Sequence, residues 1–253
     1  MERRIPKITA VLLFAFVATS FVFAQEASQK EQLRIQLWAE LDAYPGLVAN
    51  GSTDFTDAGE GEQASEASSA TENGVPQDVF GFAVSRMKDI APFIMGGMIH
   101  GWTFDYTPSD KVRAVEEYFA CVPAMPFDKK VNPIEYRQVQ VLDDKLYGWV
   151  YCNRTPTQQT SFEAWGSVTH PKIHGVGQGP VDEGFDGIKA AFENAIKSAV
   201  REYWRTQIKN KPKEITGTVL LIHNPRIYIK EGRYTVDLDF FMETGRIIPY
   251  SYY

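Results

Sequence analysis

Apolar side chains recur along this chain with two periods, and the places where the period changes mark out its elements. The clearest helical stretch carries Phe185, Ile188, Phe192, Ala195, Ala199, Val200 and Tyr203 at i, i+3, i+4 and i+7 spacing, with Lys189, Glu193, Lys197, Arg201 and Arg205 facing away. Lys209 and Lys211 suit its last turn and Pro212 stops it. The pattern predicts a helix of about 25 residues, near 38 Å long. Near the N-terminus, Leu33, Leu37, Trp38, Leu41 and Tyr44 also recur at helical spacing. Ser28 and Glu31 fit a capping box before them and Pro45-Gly46 ends the run, which predicts an amphipathic helix within 25–45. Phe80 to Met98 is apolar but interrupted by Arg86, Lys88 and Asp89, which predicts a buried helix and turn rather than a membrane span. Thr107-Pro108-Ser109-Asp110 carries N-terminal helix signals, with Val112, Val115 and Phe119 as the buried face.

Alternation predicts the strands. Met98–Tyr106 and Ser161–Thr169 read as strands, and Ile134–Leu142 with Lys145–Cys152 as a hairpin through Asp143-Asp144. A second hairpin region runs from Thr216–Ile222 to Arg226–Lys230 and, through Glu231-Gly232, to Tyr234–Met242. Tyr234, Val236, Leu238 and Phe240 then share one face, with Thr235, Asp237 and Asp239 on the other. Gly175-Val-Gly-Gln-Gly179 reads as a glycine turn before the long helix. A strand–helix–hairpin order thus occurs twice, at 98–152 and 161–242. The expected fold is α+β, mostly antiparallel sheet with helices on one face, over a body of 79–253 that divides into subunits 79–155 and 156–253.

The N-terminus changes where this body is expected to work. Arg3, Arg4 and Lys7 precede an apolar run over 8–23, and Val22-Phe23-Ala24 places a cleavage site before Gln25. At about 16 residues the run is short of a membrane-spanning helix. Residues 1–24 therefore read as a signal peptide, with no transmembrane segment after its removal and a periplasmic or secreted destination. Residues 46–78 carry Asp54, Asp57, Glu60, Glu62, Glu66, Glu72 and Asp78 with no Lys or Arg, among Gly, Ser, Ala and Thr. Such a composition cannot bury enough surface to offset its ordering entropy, so it reads as an acidic disordered linker tethering the 25–45 helix. The full chain has a net charge of −6. An acidic chain has no general attraction for phosphate backbones, which excludes nucleic acid as the expected partner.

Two cysteines, Cys121 and Cys152, read first as a disulfide in an oxidising compartment. Buried free thiols are the alternative. Catalytic patterns are sparse. The glycine run is not a phosphate-binding loop, because Asp182, Glu183 and Asp186 follow it and would repel an anion. His170 and His174 are four apart around Pro171 without a third ligand, and no metal or cofactor is expected. Asp237 and Asp239, about 7 Å apart on one strand face, have the spacing of a hydrolytic carboxylate pair and also of any solvated strand face. Tyr147, Trp149 and Tyr151 alternate on one face, either as core or as an exposed row for sugar rings or another protein.

Ala164-Trp-Gly, Gly175-Val-Gly-Gln-Gly, the Ala-containing amphipathic helix and the hairpin ending Tyr-Thr-Val-Asp-Leu together resemble a family of bacterial envelope lipoproteins and flagellar accessory proteins of the outer membrane and periplasm. The resemblance covers about 161–242, and this chain departs from the lipoprotein members in lacking a Cys at the cleavage site. It implies a non-enzymatic assembly role and carries no catalytic residue with it. The expectation is an exported, non-enzymatic envelope protein that binds an envelope or periplasmic protein or self-associates. Leu33, Leu37, Trp38, Leu41, Tyr147, Trp149 and Tyr151 are its candidate contact residues. An exported hydrolase and a glycan-binding module are the alternatives. Expressed with its leader in a secreting host, the chain is expected to begin at Gln25, which the intact mass of the recovered protein checks.

Overall fold

The long helix forms as its periodicity predicts, and the rest of the fold is arranged around it. The computed structural model describes residues 31–41, 80–208 and 210–250. The expected signal peptide and acidic linker lie outside the described residues. The fold is α+β: among the described residues there are three helices and nine strands, whose pairings are all antiparallel. The strands are β1 (Gln32–Glu40), β2 (Trp102–Thr107), β3 (Tyr118–Pro123), β4 (Ile134–Leu142), β5 (Lys145–Asn153), β6 (Lys172–Pro180), β7 (Glu214–Leu221), β8 (Arg226–Lys230) and β9 (Arg233–Ile248). The helices are α1 (Gly81–Ile99), α2 (Pro156–Trp165) and α3 (Phe185–Gln207). A three-stranded sheet has the order β1-β5-β4, and a six-stranded sheet runs β3-β2-β7-β9-β6 with β8 paired to β9.

Helix α3 buries Ile188, Ala191, Phe192, Ala195, Ile196, Ala199 and Val200 on one stripe. Its seat is β6. Alternation places Gly175, Gly177 and Gly179 on the inward face of that strand. A Cβ added at Gly177 would lie 2.1 Å from the Ala191 carbonyl oxygen, and one at Gly175 would lie 2.1 Å from that of Ala195. From the helix side, a Cβ at Gly187 would lie 1.8 Å from the Pro180 carbonyl oxygen. Small residues thus let the helix backbone rest directly on the strand backbone. The expected glycine turn at 175–179 is corrected to this strand: its glycines answer close approach, not chain reversal.

The inward residues Tyr234, Val236, Leu238 and Phe240 of β9 are buried as alternation predicts. They join Trp102 and Phe104 of β2, Phe192 of α3 and the buried face of α1 in one core. Strands from both halves of the body share the six-stranded sheet, so 98–152 and 161–242 do not stand as separate strand–helix–hairpin units.

Three further expectations are corrected. Residues 32–40 form a strand, not an amphipathic helix: Leu33, Ile35, Leu37 and Ala39 all point into the core opposite Cys152, Val150, Gly148 and Leu146 of β5. Residues four apart share a face in a helix and in a strand alike, and Ile35 decides for the strand. Residues 107–119 form no helix. Asp110 accepts from the Val112 and Arg113 amides and holds a local turn, Val112 is 94% exposed, and 118–123 pair with β2. Residues 161–165, expected as strand, belong to α2. Thr155 caps that helix, Pro156 opens it, and Gln158 completes a reciprocal capping box.

Gly177→Ala is expected to lower stability by about 3 kcal/mol, the upper end of overpacking costs, because the clash is with backbone and no side chain can move aside. Val176→Ala on the exposed face of the same strand should change it by about 0.5 kcal/mol or less. Urea denaturation of the two variants checks the contrast.

Candidate functional site

Because residues 33–39 of β1 and 146–152 of β5 alternate, their side chains that do not enter the core stand on the outer face of the three-stranded sheet. Register sets Arg34 opposite Tyr151, Gln36 opposite Trp149 and Trp38 opposite Tyr147, with Glu135, Arg137 and Gln140 of β4 on the other side. Tyr147, Trp149 and Tyr151 are half-buried and share this outward face, while Leu146, Gly148, Val150 and Cys152 are buried beneath it. The structure therefore assigns the aromatic row to the surface.

Cations sit on these rings. The Arg34 guanidinium carbon lies 3.6 Å from the Trp149 ring centre and 5.7 Å from that of Tyr151. Arg137 lies 4.8 Å from Tyr151, on a guanidinium also bonded to Glu135, and the Lys145 ammonium lies 4.5 Å from Trp38. Each such contact is worth about 0.5–1 kcal/mol at an exposed site, and together they hold the rings in fixed orientation. Residue types alone did not reveal Arg34, Arg137 and Lys145; the strand register that sets them beside the aromatics does. Beyond the row, Leu142 of the edge strand β4 is exposed on this face, while the exposed Val141 stands on the opposite one, paired with Leu146.

On its other side the face meets β8 across a cleft of about 430 Å³, lined by Gln36, Trp38, Lys145, Tyr147 and residues 224–229. Two bonds cross the gap. The Trp38 indole N–H donates to the Ile227 carbonyl at 2.8 Å, and the Gln36 amide donates to Asn224 Oδ1 at 3.1 Å. Of the other candidate contact residues, Leu33 and Leu37 are fully in the core and Leu41 is half-buried against it, so the first two are corrected from contact residues to packing.

The alternative chemistry is partly brought together. Register places His174 opposite Asp239, and its Nδ1 lies 3.0 Å from Asp239 and 3.6 Å from Asp237. Arg226 approaches Asp237 at 3.9 Å, and His223 joins them around an open cleft of about 370 Å³. The imidazole is thus engaged by the two carboxylates on a solvated strand face. His170 packs instead on the Trp165 ring at 4.7 Å and bonds with Ser167 and Thr169. Among the described residues no group of three or more His, Cys, Asp or Glu has the geometry to hold a metal ion.

The expected disulfide is corrected as well. Cys121 stands on β3 of one sheet and Cys152 on β5 of the other, both as free thiols. Burial pushes the Cys121 thiol up to about 12, helped by Glu193, and burial pushes Cys152 up to about 11 against the pull of Arg154. A raised thiol value favours the folded state below the unfolded value of 9.0, and that contribution is lost as pH rises through 11 to 12. At pH 8 native alkylation by iodoacetamide is expected to run about 100-fold slower than after unfolding, with a rate that climbs with pH above 9. Timed mass spectrometry should count two free thiols.

A family model matches the chain over residues 19–250. An uncharacterized protein of Treponema pallidum (strain Nichols) is 30% identical over 171 residues, which cover 66% of this chain and 70% of that protein. No solved structure matches the chain. With the match running through every described element, this chain belongs to the family that the model represents over residues 19–250.

Proposed function

We propose that this protein is an exported, non-enzymatic binding or assembly protein of the cell envelope, and that it meets a protein partner through the outer face of the β1-β5-β4 sheet. The observation that carries the reading is the aromatic row Tyr147, Trp149 and Tyr151 standing outward with Arg34 and Arg137 stacked on it. Trp, Tyr and Arg are the residue types that dominate protein–protein hot spots, because they offer large area at low conformational cost. The exposed Leu142, paired with Lys145, extends the same face to the open edge of β4, where a partner strand could add main-chain hydrogen bonds. Cations over the rings favour a partner of acidic character. They also disfavour the glycan alternative, since a sugar ring would have to displace Arg34 from Trp149 before stacking there.

The export part of the reading rests on the N-terminal pattern of charged head, apolar run and small-residue cleavage site. Its narrower form, association with the flagellum, predicts co-purification with basal bodies and hooks.

The face is tested by capture from envelope extracts with the unmodified protein and a Trp149→Ala/Arg137→Ala variant, and by sedimentation of both for self-association. At least about tenfold loss of the captured or self-associated species is expected, as two hot-spot side chains are removed. An unchanged partner set in the variant would sink the assignment of this face. Binding to purified sacculi that depends on Tyr147 and not on Arg137 would instead establish the glycan reading.

A further inference from the structure

A second cleft, built from other elements, has a chemistry of its own. It lies where the end of α3 passes over the start of β7, and has a volume of about 360 Å³. Tyr106, Trp204, Ile208 and Ile215 make apolar walls, and Arg201, Arg205 and Lys211 bring positive charge against the single carboxylate Glu117. Basic residues at a helix C-terminus ordinarily answer the negative end of its dipole. Two of these point elsewhere. Arg201 reaches across to Glu117 at 3.6 Å, and the Lys211 ammonium donates to the Ser109 carbonyl at 2.5 Å. They straddle the cleft and tie its helix side to the 108–117 loop. Glu117 is already engaged at both oxygens, the other accepting from the Tyr106 hydroxyl at 3.0 Å. Arg205 is paired with Glu202 at 2.8 Å, so with Arg201 on Glu117 the lining keeps the Lys211 ammonium, bonded only to a neutral carbonyl, as its surplus positive charge in a chain whose net charge is −6. In the same wall, the Trp204 indole nitrogen is buried and has no hydrogen-bond partner among the described residues. Such a donor costs about 1–3 kcal/mol when left unpaired.

We infer that this cleft binds a small amphipathic carboxylate, an aromatic or branched apolar body bearing one carboxylate group, as in the C-terminal residue of a peptide. The apolar body packs against Tyr106, Ile208 and Ile215. The carboxylate lies between Arg201 and Lys211, where charge-assisted bonds are about twice as strong as neutral ones. A turn of the Trp204 ring toward the ligand gives its N–H an acceptor. The volume is in the range of small-molecule sites, about 300–1,000 Å³.

The probe is N-acetyl-L-phenylalanine, with N-acetyl-L-phenylalaninamide as its neutral counterpart, titrated into the purified protein and followed by the tryptophan indole N–H resonances. The acid is expected to shift the Trp204 resonance at sub-millimolar concentration, leaving Trp149 and Trp38 unmoved. The amide should bind at least about tenfold more weakly, the loss of one charge-assisted bond. Arg201→Gln and Lys211→Gln, both changes of exposed side chains, should each weaken the acid about tenfold and leave the amide unchanged. Higher salt should weaken only the acid. Equal binding of acid and amide, shifts centred on Trp149 or Trp38, or a Trp204 resonance unmoved at millimolar acid would each overturn the proposal. Because the readout is Trp204, its failure is separate from failure of the aromatic face, which is read at Trp149.

Discussion

The contact between the backbones of α3 and β6 is the constraint from which the rest of the structure follows. Gly175, Gly177 and Gly179 alternate on one side of a strand, and Gly187, Ala191, Ala195 and Ala199 recur every four residues on one side of a helix. Period two and period 3.6 meet here because both surfaces are stripped to backbone or to a methyl group, so neither has to fit the other's side chains. With α3 seated this closely, Phe192 is brought within ring contact of Phe93 and Trp102, at 5.2 and 6.1 Å. Trp102 in turn rests on Gly97 of α1, where an added Cβ would fall inside its ring. The small residues of α3, β6 and α1 are therefore what lets large aromatics pack together at the centre.

The same economy recurs under the functional face. Gly148 stands in the middle of β5, and a Cβ there would meet the Met87 methyl at 2.8 Å. Met87 of α1 can press against the sheet only because this position is bare. A helix on one side fixes the β1-β5-β4 sheet, and the other side is left to solvent with its aromatics and cations. The two sheets are joined at the β1–β8 gap by side chains rather than by a ladder, through Trp38 to Ile227 and Asn224 to Gln36. Side-chain bonds in place of a ladder leave a cleft where a continuous sheet would have none.

The residues show why some elements were legible in sequence and others were not. Helix α3, the β4–β5 hairpin and the two faces of β9 each carry one unambiguous period along with their own stop or turn residues. In the hairpins, Asp143 at φ 55° and Glu231-Gly232 at φ 54° and 71° adopt the left-handed backbone that tight turns demand. Strand β1 carries a helical signature because Leu33, Leu37 and Leu41 are four apart, a spacing that fits both periods within tolerance. Thr107-Pro108 and Thr155-Pro156 carry the same start signal, yet only the second opens a helix. Gln158 Oε1 accepts from the Thr155 amide there, whereas the Asp110 carboxylate is taken up by its own local turn and by Arg113. Of the site, the sequence showed the aromatic alternation and the carboxylate pair, but not Arg34, Arg137 or the approach of His174 to Asp239.

Local chemistry accounts for that division. Periodicity, capping and turn preference act between residues a few positions apart, so the α+β class, the β4–β5 hairpin and the inward faces of β9 and α3 could be read directly from the chain. Everything that pairs distant segments was settled by packing: β1 with β5, His174 with Asp239, Arg34 with Trp149, the cysteines onto separate sheets, and the Arg201–Glu117 closure of the α3 cleft. A one-residue slip in register would turn every side chain of a strand to the opposite face. No single strand encodes that choice; it is made only when the small-residue faces of β6 and α3 lock together and leave an arrangement in which Trp102, Phe104, Phe192 and Phe240 are covered.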